Sequence, residues 1–423
     1  MDTPAPQPRT NWAGNLTYNV TSLRTPATVA EAQEMVRAAP KLRVVGSRHC
    51  FNDIADTTGA HLSLARLARV VAIDRAARRV TIEGGIRYGE LGAALEAEGL
   101  ALHNLASLPH ISIAGAIATA THGSGAKLGN LATAVTALTF IDARGELVSL
   151  SRERDGDAFA GAVVHLGALG PVVSLTLALE PSFAVRQRVY RDLPFAAAEA
   201  HFAEIMAAGY SVSLFTHWQG GPIEQVWVKS RDGDAAPPPD LHGARPSPVK
   251  LHPLPDHDAV NCTEQLDVPG RWHERLPHFK LEFTPSSGAE LQAEYFVARE
   301  RAVEALRIMN RWGRALGPFL LVSEVRTIAA DDLWLSPAYQ RDLVAFHFTF
   351  RQDVPGVLRI LYELEQQLAP LAPVPHWGKL FVLSPAKIAA AYPRLADFRE
   401  LAAKHDPNGK FRNRFVDKYV CGG

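Results

Sequence analysis

The chain has little cysteine, no net charge and no long apolar run. Its three cysteines, Cys50, Cys262 and Cys421, stand far apart and form no Cys-x-x-Cys pair. That argues against a disulfide framework and a thiolate zinc site, and for a reducing compartment. Forty-four basic residues face 44 acidic ones. The balance implies neither a basic face for nucleic acid nor a polybasic segment for membranes. No apolar stretch reaches the roughly 18–20 residues a membrane helix needs. The opening Met1-Asp2-Thr3-Pro4-Ala5-Pro6 is polar and lacks the apolar core of a secretion signal. A cytoplasmic location is therefore expected. His103, His110 and His122 share no metal-ligand spacing and no carboxylate lies among them, so no metal is expected. Internal repeats are missing too.

What is present describes a globular protein. At 423 residues, with 47 % hydrophobic and 21 % charged content, the chain is long enough for two cores. Thr28 to Ala39 reads as a helix, with Thr28 as N-cap and Glu31 completing a capping box. Tyr88 to Glu98 reads as another, ended by Gly99. Leu42 to Val45, Val70 to Asp74, Arg79 to Glu83 and Val172 to Leu179 read as strands, and Val135 to Leu150 as a hairpin. A break falls at Glu180-Pro181, and a long Pro- and Gly-rich loop spans Asp232 to Pro255. Strands and amphipathic helices resume after Phe283, with helices expected over Arg299–Leu316 and Val357–Leu368.

Two segments carry small residues where a ligand can approach the backbone closely. In Val44-Val45-Gly46-Ser47-Arg48-His49-Cys50, a strand runs into a Gly-Ser turn, and a histidine follows three residues after the glycine. Such a turn can cradle a pyrophosphate, although alone the string also fits a surface turn with a solvated histidine. Ser107 to Gly125 is long, nearly uncharged and rich in Ala, Gly, Ser and Thr. It reads either as a small-residue core helix or as a wall against a flat or phosphorylated ligand. Ser112, Thr119, Thr121 and Ser124 punctuate it and favour the wall. Its glycine spacing is not that of a Rossmann fingerprint.

The second half places polar groups inside apolar alternation. In Leu321 to Thr327, Glu324 and Arg326 sit two apart and share a strand face. In Ala345 to Phe350, the three phenylalanines face one way and His347 and Thr349 the other. Pro375-His376-Trp377-Gly378-Lys379 sets a lysine beside two rings. Singly, these read as a solvated ion pair, a satisfied core histidine and a surface lysine. Together they make a donor and acceptor set suited to a substrate dense in hydroxyls.

Taken together, Gly46-Ser47-x-His49 and the Ser107–Gly125 segment resemble the flavoprotein family typified by vanillyl-alcohol oxidase. The likeness is closest to its alditol and xylitol oxidases, with aldonolactone oxidases as cousins. It runs from Asn11-Trp12-Ala13-Gly14-Asn15 to Asp406-Pro407-x-Gly409-Lys410-Phe411. The resemblance implies an α+β flavoprotein of two domains. An FAD-binding domain of PCMH type, with two small α/β subdomains, would span 1–181. A substrate domain, an antiparallel sheet covered by helices, would span 182–380, and a segment 381–423 would return to the first. It also implies FAD bonded covalently to His49 and bound by Val45, Gly46, Ser47, Arg48, Cys50, Ser107, Ser112, Gly115, Thr119, Ala120, Thr121, His122, Val173 and His376. Ser107, Glu324, Arg326, Thr349 and Lys379 would bind substrate, with Arg326, Lys379, Glu324 and His347 in the chemistry. In that chemistry the charges of Arg326 and Lys379 would stabilise developing alkoxide. The activity implied is oxidation of the terminal alcohol of an alditol such as xylitol or sorbitol, with oxygen reduced to hydrogen peroxide, by a monomer. The alternative is an aldonolactone oxidase or dehydrogenase on the same scaffold.

Overall fold

The structure is a computed structural model and describes residues 9–255, 257–283 and 290–422. The polar stretch Met1 to Pro8 lies outside the described residues. Two β systems organise the chain. The N-terminal part holds a small parallel sheet, Ser22–Arg24, Ala60–Leu62 and Leu42–Val44 (β1), and a five-stranded antiparallel sheet. The five strands run in the order Val70–Asp74, Arg79–Glu83, Val172–Ala178 (β2), Val135–Ile141, Leu147–Ser151. A short helix, Ile113–Ala118 (α1), stands in the small-residue segment, which in sequence falls between the strands Arg79–Glu83 and Val135–Ile141 of the five-stranded sheet.

A nine-stranded antiparallel sheet occupies the second part. At its centre Leu320–Ile328 (β4) pairs with Leu343–Arg351 (β5), which pairs with Glu290–Ala298 (β3). The registers align Glu324 with His347 and His347 with Glu294, so these three side chains form a row across adjacent strands. Phe346, Phe348 and Phe350 join a large apolar cluster with Leu306, Val357 and Leu361 of the covering helices. That cluster includes residues from Ala13 to Val420, so both β systems share one continuous core. The chain is a two-domain α+β protein. Among the described residues no helix is long and apolar enough to cross a membrane.

Most expected elements form within a residue or two, with two instructive differences. Thr28 caps Val29–Ala38 by accepting the Glu31 N–H. The Glu31 carboxylate, however, takes the N–H of Ala27 instead of Thr28, so the box closes one residue early. The expected helix over 299–316 divides into Arg299–Arg301, Ala302–Trp312 and Gly313–Leu316, the outer pieces being 3-10 turns. At the tail, the Leu42 N–H donates to the carbonyl of Lys410, and Arg43 donates to that of Phe411.

Candidate functional site

One cavity of about 680 Å³ runs from the first glycine turn to the face of the nine-stranded sheet. The Gly-Ser turn forms one end. Ser47 is followed by Arg48 in the left-handed region (φ 61°), a rare conformation outside glycine that turns the chain sharply. This aims His49 at the cavity. Its ring stacks on Trp12, centroids 4.7 Å apart. Asn11 and Asn15 donate to the carbonyls of Cys50 and Phe51, which ties the opening Asn11–Asn15 string to the loop. His49 Nδ1 lies 3.2 Å from the Ser47 carbonyl, while Nε2 is buried with no partner. Burial pushes this imidazole down to about 4. Burial also pushes the Cys50 thiol up to about 11, so it stays protonated beside His49.

The small-residue segment forms the adjoining wall. Its regular part, α1, is six residues long, and it serves as both core and wall: Ile113 and Ile117 pack in the large apolar cluster, while Ala114, Gly115 and Ala118 line the cavity. A Cβ on Gly46 would sit 2.2 Å from Ser112 Oγ, and one on Gly115 2.8 Å from the same atom. Two glycines from segments some seventy residues apart therefore permit one close approach around Ser112. Ser107, Ser112, Gly115, Thr119, Thr121 and His122 all line the cavity with Val45, Gly46, Ser47, Arg48, Cys50 and His376.

Two expected cofactor residues stand elsewhere. Ala120 (φ 54°) is buried in the apolar core beside α1. Val173 packs in a separate apolar cluster with Leu42, Leu62 and Ile141, because alternation along β2 sends its neighbour Val172 toward the cavity instead.

The sheet supplies a buried charge array at the opposite wall. Arg326 donates to Glu294 Oε1 at 2.6 Å, and Lys379 donates to Glu294 Oε2 at 2.7 Å. Glu324 lies 3.6 Å from Arg326 and accepts from His278 at 2.8 Å. His122 Nε2 approaches Glu294 at 3.2 Å, so this residue faces the sheet's charges as well as the small-residue wall. Burial by itself would raise the Glu294 carboxyl. The charges of Lys379 and Arg326 outweigh it and hold the group well below the usual carboxylate range. Glu324 is held low in the same way by Arg326 and His278. Burial, reinforced by the Lys379 charge, keeps both His347 and His376 neutral.

Thr349 and Ser107 complete the rim, the latter 3.5 Å from Arg326. The array holds two cations and two anions, so the positive charge of Arg326 and Lys379 is compensated, by Glu294 as well as by Glu324. Glu294 was absent from the sequence reading although it joins both cations. Its signal was the Glu290, Gln292, Glu294 alternation on β3. His278 and Gln292 were also missed. Gln292 donates to Glu290 at 2.7 Å and accepts from His347 Nε2 at 3.1 Å. That leaves His347 Nδ1 as an acceptor.

The implied FAD fits these residues. A buried, orphaned imidazole nitrogen faces the cavity, and paired glycine segments allow the backbone contact a pyrophosphate needs. His103, His110 and His122 do not gather. Among the described residues one cluster of possible metal donors, His201, Glu204 and His242, lies outside the cavity.

Comparison with known proteins agrees with the geometry. An FAD binding domain family matches residues 21–151, and a D-arabinono-1,4-lactone oxidase family matches 289–419. An alditol oxidase from a Streptomyces species is 48 % identical over 98 % of this chain and 99 % of its own. An L-gulono-1,4-lactone dehydrogenase from Mycobacterium tuberculosis is 30 % identical over 97 % and 98 %. The fold superposes on a cholesterol oxidase of B. sterolicum with a TM-score of 0.77 at 16 % identity, covering 97 % of this chain and 96 % of that one. It also superposes on a carbohydrate oxidase of Microdochium nivale, with a TM-score of 0.75 at 15 % identity over 99 % and 97 %. The chain belongs to the vanillyl-alcohol-oxidase-type family of FAD-dependent oxidoreductases, on its alditol oxidase branch.

Proposed function

We propose that the protein oxidises the terminal primary alcohol of alditols such as xylitol or sorbitol to the aldose, with oxygen reduced to hydrogen peroxide. The observation that carries this reading is the buried array of Glu324, Arg326, Glu294 and Lys379 in a cavity that also holds the orphaned His49 ring. The array has no net charge, which suits a neutral polyol better than a sugar acid. Its ionised groups offer strong hydrogen bonds to several hydroxyls at once.

FAD, when bound, supplies the hydride acceptor that no side chain can provide. Val45 to Cys50 and the Ser112, Gly115, Thr119 and Thr121 wall would hold it, with His49 as the covalent tether and His376 beside it. Ser107 and Thr349 grip neighbouring hydroxyls. Arg326 and Lys379 hold the reacting oxygen and stabilise the negative charge that develops there. His347, kept neutral and bonded through Nε2 to Gln292, presents Nδ1 to the hydroxyl proton. Residues 1–181 would serve the cofactor and 182–380 the substrate, with 381–423 closing back on the first part. We take the protein to act as a monomer in a cytoplasmic setting, which suits its free thiols.

Anaerobic mixing with xylitol tests the reading. Bleaching of the flavin absorbance, followed by peroxide on admitting air, is the expected outcome. The lactone reading draws its own support from the lactone oxidase family match over 289–419. Bleaching by gulonolactone with no response to any alditol would establish it instead.

A further inference from the structure

Behind the cavity wall lies a charged residue that the chemistry above does not use. Lys229, on the strand Ile223–Arg231, is fully buried and does not line the cavity. Its ammonium donates to three successive carbonyls, those of Arg275 at 2.8 Å, Leu276 at 2.5 Å and Pro277 at 2.8 Å. Burial lowers its pKa to about 7. A neutral amine has two protons for three carbonyls, so the cage fits the charged form.

The same ammonium lies 3.4 Å from His278 Nδ1. It has no lone pair to accept with, so a proton on Nδ1 would face three N–H bonds and a like charge. The proton of a neutral His278 therefore sits on Nε2, and Nε2 is 2.8 Å from Glu324 Oε1. Phe215 and Trp227 pack edge-on against the ring, with centroids 5.6 and 5.3 Å away. One residue further along, the backbone acts too. The N–H groups of His278 and Phe279 donate to the Ser107 carbonyl at 3.1 and 3.3 Å.

We propose that Lys229 and His278 are positioning residues that fix the His278 tautomer and, through it and the clamped 275–279 segment, the placement of Glu324 and Ser107 for substrate. The role assigned to Glu324 rests on the alditol reading; the tautomer does not.

The test has two arms on the holoenzyme. In the first, nitrogen-15 NMR of histidine-labelled protein without substrate reports the His278 ring, assigned by the signal lost in His278→Gln. A bare Nδ1 and a protonated Nε2 are expected. A protonated Nδ1, or a charged ring, overturns the proposal. Lys229→Met should bring in a population protonated at Nδ1, and an unchanged ring in that variant counts against the lysine.

The second arm is kinetic and decides the matter if Lys229→Met does not fold. His278→Leu removes the donor to a buried carboxylate and should raise KM about tenfold or more. His278→Gln, whose amide can donate in its place, should recover most of that loss. Equal KM values for the two variants would refute positioning. If wild-type protein is not reduced by any polyol, the alditol reading fails, and the NMR result still stands or falls by itself.

Discussion

The Glu294 carboxylate lies 2.7 Å from the Lys379 ammonium; the Lys379 side chain is 14 % exposed, and Glu294 is fully buried. Its other oxygen holds Arg326, so one anion sets the spacing of two cations. Replacing it exposes each cation to the other in a medium that screens poorly. Glu294→Gln should therefore cost about 3–5 kcal/mol of stability, as expected when one partner of a buried pair is removed. A lowered thermal midpoint checks this. The variant should also bind an anionic polyol such as gluconate more tightly than the wild type does. Flavin difference spectra during a gluconate titration measure that, and no response in either protein would contradict the compensated-charge account.

Lys379→Met keeps the length of the side chain and removes the charge. The limiting rate of flavin reduction by xylitol should fall by about 10²–10³-fold if the ammonium stabilises charge at the reacting oxygen. Rapid-mixing absorbance gives this rate directly. A rate equal to wild type would remove Lys379 from the chemistry.

His49→Ala should leave protein that binds FAD without retaining it. After acid precipitation the flavin is expected in the supernatant, whereas wild-type protein carries it into the pellet. Flavin pelleting with the variant would place the link at another residue.

Acid stability should fail earlier than the carboxylates alone dictate. Burial pushes the His165 imidazole down to about 4 from 6.5, and its Nδ1 accepts the Gly167 N–H at 3.1 Å. The unfolded chain binds a proton below pH 6.5 that the folded chain refuses until about 4. This contribution is therefore fully present above 6.5 and is lost as pH falls between those values. At about pH 5 the loss from this one group is about 2 kcal/mol. Urea midpoints of wild type and His165→Asn at about pH 7 and about pH 5 should show the smaller decline in the variant. Parallel declines would mean that another group is responsible.

What the sequence disclosed follows from the range of the forces involved. Strands β4 and β5 were legible because a period of two places Glu324, Arg326, His347 and Thr349 on one face whatever the rest of the fold does. The His49 turn was legible because a Gly-Ser turn carries its own geometry. Glu294 was not, since its importance comes from Arg326 and Lys379, 32 and 85 residues away. Its own strand looks like ordinary alternation. His278 and Lys229 carried still less signal: an isolated histidine in a loop and a lysine in a strand read as surface residues until the chain brings them together. Ala120 and Val173 show the converse. A motif marks a neighbourhood, and the pleat of β2 decided that Val172, not Val173, meets the cavity.

The hydrogen bonds from Leu42 and Arg43 to Lys410 and Phe411 join β1 to residues 368 positions later. Strand β1 leads directly into the loop that carries His49, and its edge is completed by residues from the other part of the fold. Loosening the contacts of Lys410 and Phe411 therefore loosens the strand on which the His49 loop is mounted, although neither residue lines the cavity.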